Sequence, residues 1–209
     1  MKLYTLELSG HGHRAQLMAS LLHLKNVEIV LVDLPNGEHK QPEFLAKNPF
    51  GQVPVLEDGE TVVGDSNAIL IYLASQFDTT QRWYPDSPNL MSEIQFWLSK
   101  ASNELANGPA RARLISVFNA PYDAPATIEA AHQLLKIIDT HLSNRQWLVG
   151  KHPTIADVAM YSYIAHAPEG GVDLACYQQI LKWLAFIEDL PGFIPMPKTE
   201  TKAKSELVA

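Results

Sequence analysis

The chain has 209 residues, 16 Lys and Arg against 23 Asp and Glu, a formal net charge of −7, and 46% hydrophobic against 19% charged residues. That apolar fraction fills one large or two modest cores and excludes a long disordered chain, while an acidic balance without a basic stripe argues against nucleic acid or an anionic membrane surface as the main partner. The lone Cys176 excludes an intramolecular disulfide, a CxxC pair and a cysteine zinc site, Met1-Lys2-Leu3-Tyr4-Thr5 carries no signal-peptide pattern, and no run of about 18 apolar residues marks a membrane span, so a cytoplasmic protein is expected.

Leu3 to Leu8 is a short apolar run stopped by Ser9-Gly10, and Arg14 to Leu24 then carries Leu17, Met18, Leu21, Leu22 and Leu24 at helical spacing. Val27 to Val32 is a second strand, followed by a polar connection from Asp33 to Pro42. Phe44-Leu45-Ala46 is a brief helix before Asn48-Pro49-Phe50-Gly51. Val53 to Glu57 and Thr61 to Val63 flank Asp58-Gly59-Glu60 as an antiparallel hairpin, and Asp65 opens a helix through Phe77. The order β-α-β-(α)-β-β-α favours a right-handed crossover between parallel strands in a small mixed sheet.

Residues 78–87 have linker chemistry, and beyond them only helical signals occur. Ser92 to Phe118 is a long periodic segment in which Gly108-Pro109 predicts a kink. Three more helices are predicted over Thr127 to Leu142, Thr154 to Ala165 and Tyr177 to Leu190, with a polar, fraying tail from Pro195. There is no internal repeat.

Chemistry has few places to sit. Val53-Pro54 at a strand start is either an ordinary trans proline or a cis bond that leaves the Val53 backbone open to an extended ligand; the dipeptide alone favours trans, cis being about 5–6% of X-Pro bonds. Asp65-Ser66 at a helix start suits a carboxylate and an amine, although Asp65 also reads as a plain N-cap. Ser9-Gly10-His11-Gly12-His13-Arg14 joins strand to helix and can face an anion, but no G-x-S-x-G turn supports a hydrolytic triad. His39-Lys40 lies in the exposed connection, and the histidines lack the HExxH spacing of a zinc helix, so no metal is expected. Thr154 to Asp157 is a structural capping box. Ile94, Trp97, Leu98, Ala101 and Leu105 read as core, whereas Asn103, Asn107, Arg111 and Arg113 are too polar for it and could line a cleft.

The order of these signals resembles a cytosolic glutathione transferase over roughly residues 2–193, with Ala46-Lys47-Asn48-Pro49 and Asp65-Ser66-Asn67-Ala68-Ile69-Leu70-Ile71-Tyr72-Leu73 as family-like segments and a serine-class loop of bacterial type. The resemblance implies a thioredoxin-like α/β domain at 1–77, a linker at 78–87 and an all-helical domain at 88–209 that forms the electrophile pocket. It further implies glutathione as cosubstrate: Val53 pairing its backbone with the cysteinyl part, Pro54 as the family's cis proline, Asp65 and Ser66 at the γ-glutamyl end, His39 or Lys40 at the glycyl carboxylate with Gln52 assisting. Ser9 is the implied thiol-activating residue, with His11 or a loop amide as the alternative because Gly10-His11-Gly12 departs from the family pattern. Asn103, Asn107 and Arg111 would meet a small apolar electrophile. The activity implied is detoxifying conjugation by a homodimer; a glutathione-dependent isomerase or peroxidase, or a non-enzymatic binding protein on the same fold, are the alternatives.

Overall fold

The computed structural model describes residues 1–199. They form two compact units, one of Met1–Tyr84 with Leu190–Pro197 and one of Pro85–Asp189 with Lys198 and Thr199. In the first unit, β1 (Lys2–Thr5) pairs in parallel with β2 (Glu28–Leu31) and antiparallel with β3 (Val55–Asp58), which pairs in turn with β4 (Thr61–Val63), giving the order β2-β1-β3-β4.

Strand periodicity splits the sheet into two faces. Tyr4 and Val55, partners across β1 and β3, pack with Val32 and with Phe44 of α2 (Pro42–Leu45). Their neighbours Leu3 and Leu56, also partners, are buried on the opposite face, where α1 (Gly10–Leu21) meets β1 and α3 (Ser66–Phe77) meets β3. α1 begins at Gly10, four residues before the position its apolar spacing marks; the glycines at 10 and 12 are poor helix formers and hide the first turn. Gly12 is there for space, since a Cβ on it would lie 1.8 Å from Thr5 Oγ1.

The segment from Leu190 also belongs to this unit, although the sequence assigns it to the helical half. Ser20 Oγ donates to the Gly192 carbonyl at 2.6 Å, His13 Nε2 lies 2.9 Å from the Ile194 carbonyl, and Met196 is 2% exposed. The polar tail expected from Pro195 is therefore held at its start, and its remainder, 200–209, lies outside the described residues.

The second unit is helical, with α4 (Pro88–Lys100), α5 (Arg111–Phe118), α6 (Ala124–His141), α7 (Ile155–Ala165) and α8 (Gln178–Glu188). Between α4 and α5 the chain stays helical, in wide π turns over Ala101–Ala110 that contain Pro109. The irregularity expected at Gly108-Pro109 takes the form of a local change of helix type. Gly108 lets α6 approach, as a Cβ there would lie 3.0 Å from Ala131 Cα. Ile94, Trp97, Leu98, Ala101 and Leu105 are core. Arg113 is core as well, contrary to its polar reading: at 1% exposure its Nε donates to Glu169 Oε2 at 2.6 Å, and His166 and Thr199 complete the carboxylate's partners.

Asp157 joins three elements of this unit. Thr154 and Asp157 close the capping box of α7, Leu148 N–H donates to Asp157 Oδ1 at 2.9 Å, and Trp183 Nε1 of α8 donates to the same oxygen at 2.9 Å. Burial holds this carboxyl above the ordinary carboxylate range even though all four groups donating to it favour the charged form. Replacing Asp157 by Ala leaves buried donors without an acceptor, and we expect a loss of about 3 kcal/mol or more in urea unfolding. Asp157→Asn, which keeps the Oδ1 acceptor, should recover part of it; a loss below about 1 kcal/mol in the alanine variant would show that these bonds do not hold the unit together.

Candidate functional site

Ser9 caps α1. Its φ and ψ of −80° and 115° are extended, and its Oγ accepts the Gly12 N–H at 3.0 Å. A hydroxyl that accepts in this way still has its own proton to give, so Ser9 can donate beside a helix N-terminus, where free amides and the dipole favour an anion.

α3 starts beside it. Asp65 is its exposed N-cap, accepting the Ala68 N–H at 2.9 Å, and Ser66 is its buried first residue. Ser66 Oγ is reached from α1 twice, by Arg14 Nη1 at 2.8 Å and by His11 Nδ1 at 3.0 Å, while Arg14 Nη1 also donates to Asn67 Oδ1 at 2.8 Å. Burial, and then the charge of Arg14, push the His11 imidazolium down to about 3, so the ring is neutral at physiological pH. That limits its chemistry: His11 can exchange hydrogen bonds but does not present a positive charge to a thiolate.

A second cluster surrounds the loop before β3. The Val53-Pro54 bond is cis, the isomer that the family resemblance implies and the dipeptide alone disfavours. β3 begins only at Val55, and neither the N–H nor the C=O of Val53 has a hydrogen-bond partner among the described residues. The loop is fixed by Asn48, which is buried and donates from Nδ2 to the carbonyls of Gln52 at 2.8 Å and Gly64 at 3.1 Å, while its Oδ1 accepts the Phe50 N–H. Lys40 Nζ donates to the carbonyls of Phe50 and Gly51 at 3.3 and 3.2 Å. Gly51, at φ 57°, leaves room for this clasp, since a Cβ would lie 2.7 Å from the His39 carbonyl and 2.8 Å from Lys40 Nζ. His39 Nδ1 is a buried nitrogen with no hydrogen-bond partner, and the Gln52 side chain is exposed.

The structure thus gathers Ser9, His11, Asp65 and Ser66 at one joint of the first unit, and His39, Lys40, Gln52, Val53 and Pro54 around one loop of the same unit. Asn103, Asn107 and Arg111 form a separate ladder on the second unit: Asn107 Nδ2 donates to Asn103 Oδ1 at 2.7 Å, Arg111 Nη2 donates to Asn107 Oδ1, and the Arg111 guanidinium lies 4.6 Å over the Tyr122 ring. Sequence reasoning gave no role to Arg14, Asn48 or Asn67. A basic residue on the apolar face of α1 and an amide just before Pro49 were the available signals. Among the described residues no group of three or more His, Cys, Asp or Glu is placed to hold a metal, and no helix is long and apolar enough to cross a membrane.

The neutral state of His11 has a consequence for stability. Its folded pKa, about 3, lies below the unfolded value of about 6.5. Above pH 6.5 both states are neutral and nothing is lost; as the pH falls from about 6.5 toward 3 the unfolded chain takes up a proton that the folded chain refuses, and stability declines. A His11→Asn variant, measured beside the natural chain by thermal unfolding between pH 7 and 4, should show a shallower decline. Parallel curves would place the His11 ring in solvent.

Residues 1–75 match the glutathione S-transferase N-terminal domain and residues 109–191 the glutathione S-transferase C-terminal domain. Glutathione S-transferase 3 of Zea mays is 32% identical over 216 aligned residues, covering 94% of this chain and 96% of that protein. Among solved structures, a glutathione S-transferase from Pseudomonas fluorescens superposes with a TM-score of 0.87 at 32% identity, over 93% of this chain and 98% of the other. A glutathione transferase homologue from Drosophila mojavensis, solved with bound glutathione, gives 0.82 at 27% identity over 91% and 88%. Likeness on this scale, in sequence and in fold and through both halves, makes the chain a member of the glutathione S-transferase family.

Proposed function

We propose that this enzyme activates the thiol of its cosubstrate, glutathione, for attack on a small apolar electrophile, with Ser9 as the activating residue. The observation that carries the reading is the Ser9 hydroxyl, which accepts from Gly12 N–H at the head of a 12-residue helix and keeps its proton for a sulfur anion. The rest of the first unit fits the tripeptide. The open Val53 backbone after the Asn48-held loop suits the cysteinyl peptide group, Asp65 suits the γ-glutamyl amine and Ser66 its carboxylate. His39, with its buried unpartnered nitrogen, and Lys40 suit the glycyl carboxylate, with Gln52 beside them.

A thiol with a pKa of about 8.5 is roughly 3% ionised at pH 7, and lowering it by about two units raises that to roughly 75%, for about 2.7 kcal/mol of differential stabilisation. One hydroxyl donor and one helix N-terminus are of that order. Covalent chemistry at a loop cysteine is disfavoured, because the sole cysteine, Cys176, is exposed on the second unit. The ladder of Asn103, Asn107 and Arg111 is the polar edge offered to the electrophile. A cytoplasmic homodimer with a detoxifying role is the setting we infer, and Phe50, 77% exposed on a loop clamped by Asn48 and Lys40, is an apolar contact ready for such a partner.

The test is a glutathione titration followed by thiolate absorbance across pH, with turnover of a nitroaryl halide. Bound glutathione should show a thiol pKa below about 7.5. Ser9→Ala should leave its dissociation constant within about twofold while raising that pKa and lowering kcat about tenfold or more. Unchanged turnover in Ser9→Ala would transfer the role to the loop amides.

Sedimentation of the natural chain at micromolar concentration checks the assembly. A two-chain mass that Phe50→Ser reduces to one is expected, and a single-chain mass at every concentration overturns the dimer.

A further inference from the structure

Three cations stand on the helical stretch 100–113, and they meet different partners. Lys100 pairs with Glu104 at 2.6 Å and Arg113 with Glu169 at 2.6 Å, so both charges are neutralised inside the helical unit. Arg111 has no carboxylate within ion-pair distance among the described residues. Its two partners are neutral: Nη2 donates to Asn107 Oδ1, and the Tyr122 ring lies 4.6 Å from the guanidinium, which sits over its face. A guanidinium carries five N–H donors in one plane. The amide takes one and the ring covers a face; the other donors meet no acceptor among the described residues and are not shut off from solvent.

Both neutral partners are themselves held. Asn107 Nδ2 donates to Asn103 Oδ1 at 2.7 Å, which fixes the end of the amide that faces Arg111. Asn119, at φ 54°, ends α5 in the left-handed conformation, and the Ala120 N–H returns to the Leu114 carbonyl at 3.2 Å, so the chain turns back and brings Tyr122 to Arg111. The guanidinium is thus oriented without being neutralised. Beside it the same helix face is apolar. Leu114 and Phe118 follow Arg111 at spacings of three and four, and both are exposed, as is Tyr122. From 111 to 118 this face runs about 10 Å, at a rise of about 1.5 Å per residue. A strip so short suits one substituted aromatic ring and falls far below the area that a protein partner needs.

We propose that the second substrate is an organic acid: an electrophile whose carboxylate takes the free edge of the Arg111 guanidinium while its apolar body lies along Leu114 and Phe118. Arg111 is then a specificity-determining residue that selects the substrate by charge, and the planar carboxylate matches its fork. The transfer is otherwise ordinary. For an aryl halide, the glutathione sulfur bonds to the ring carbon that bears the halogen, the halide leaves with the bonding electron pair, and the thiol proton passes to solvent. This inference rests on the reading of Asn103, Asn107 and Arg111 as the edge offered to the electrophile.

The probes are 4-chloro-3,5-dinitrobenzoate and its uncharged counterpart 4-chloro-3,5-dinitrobenzamide, with each rate divided by that of the same probe and free glutathione so that ring activation cancels. The natural chain should favour the benzoate about tenfold or more in kcat/KM, chiefly through a lower KM, and added salt should shrink the preference. Arg111→Met, which keeps an apolar stem and removes the charge, should bring the two probes to within about twofold of each other. Arg111→Lys should keep part of the preference, because an ammonium carries the charge without the fork. The ratio is taken within one preparation, so partial unfolding of a variant cancels from it. No preference in the natural chain, or a preference that survives Arg111→Met, overturns the proposal. Calorimetry with 3,5-dinitrobenzoate, which has no halide to lose, separates this site from the reading beneath it. Binding that Arg111→Met weakens about tenfold, in a chain that turns over neither probe, supports the acid site and overturns conjugation. Equal turnover of both probes spares conjugation and overturns the acid site, and neither turnover nor binding overturns both.

Discussion

A guanidinium 1% exposed to solvent indexes one helix of the first unit against another. Burying the Arg14 charge is costly unless it is hydrogen-bonded, and its acceptors include Ser66 Oγ and Asn67 Oδ1, on the first two residues of α3. Hydrophobic contact between α1 and α3 tolerates sliding because it has no direction. The Arg14 bonds do not, since a shift of one turn strands the charge. The heads of both helices are therefore fixed side by side, Ser9 on one and Ser66 on the other, with two positive dipole ends and a guanidinium in one place. Such an arrangement adds to burial, the larger cause, in resisting protonation of His11, and two helix heads beside a guanidinium favour anions.

Asn48 does for the neighbouring loop what Arg14 does for the helices. One carboxamide spends both its protons, on Gln52 and Gly64, and its oxygen accepts from Phe50, so a buried polar group is satisfied entirely by main chain. Gln52 precedes the cis Val53-Pro54 bond and Gly64 precedes Asp65. The start of α3 is consequently held from two sides, by Asn48 just before it and by Arg14 from α1. A ligand that spans the Val53 backbone and the Asp65-Ser66 corner would meet a surface whose two ends are already set relative to each other, which lowers the ordering cost of binding.

What the sequence made legible was local. Strands with period two, helices with period 3.6, the capping box and the helix start at Asp65-Ser66 are encoded within a few residues of one another and are readable as such. The ties that turn those starts into a site cross 52 residues from Arg14 to Ser66 and 16 from Asn48 to Gly64, and no periodicity carries that information. Arg113 shows the cost of reading polarity locally: it looks like a surface residue until Glu169, 56 residues on, supplies its partner. The glycines of the first loop mislead in the opposite direction, lowering helix propensity where α1 begins, and at Gly12 the close approach to Thr5 requires it.

The helical unit uses the same device with the sign reversed, and the two acids it buries behave differently. Asp157 receives only neutral donors, from Leu148, Thr154 and Trp183, and burial still lifts its pKa. Burial also works against Glu169, but His166, Thr199 and the Arg113 guanidinium together hold its carboxyl below the ordinary range. The two carboxyls differ in whether the groups donating to them outweigh burial: at Glu169 they do, His166 foremost, and at Asp157 they do not. Both acids join segments distant in the chain, Asp157 reaching from α7 to Leu148 and α8, and Glu169 reaching α5 and Thr199. The ladder of Asn103, Asn107 and Arg111, by contrast, joins positions four residues apart on one helical stretch. Substitution there leaves the buried joints of Asp157 and Glu169 in place, so the side chains at these positions can vary while the helical unit keeps its fold.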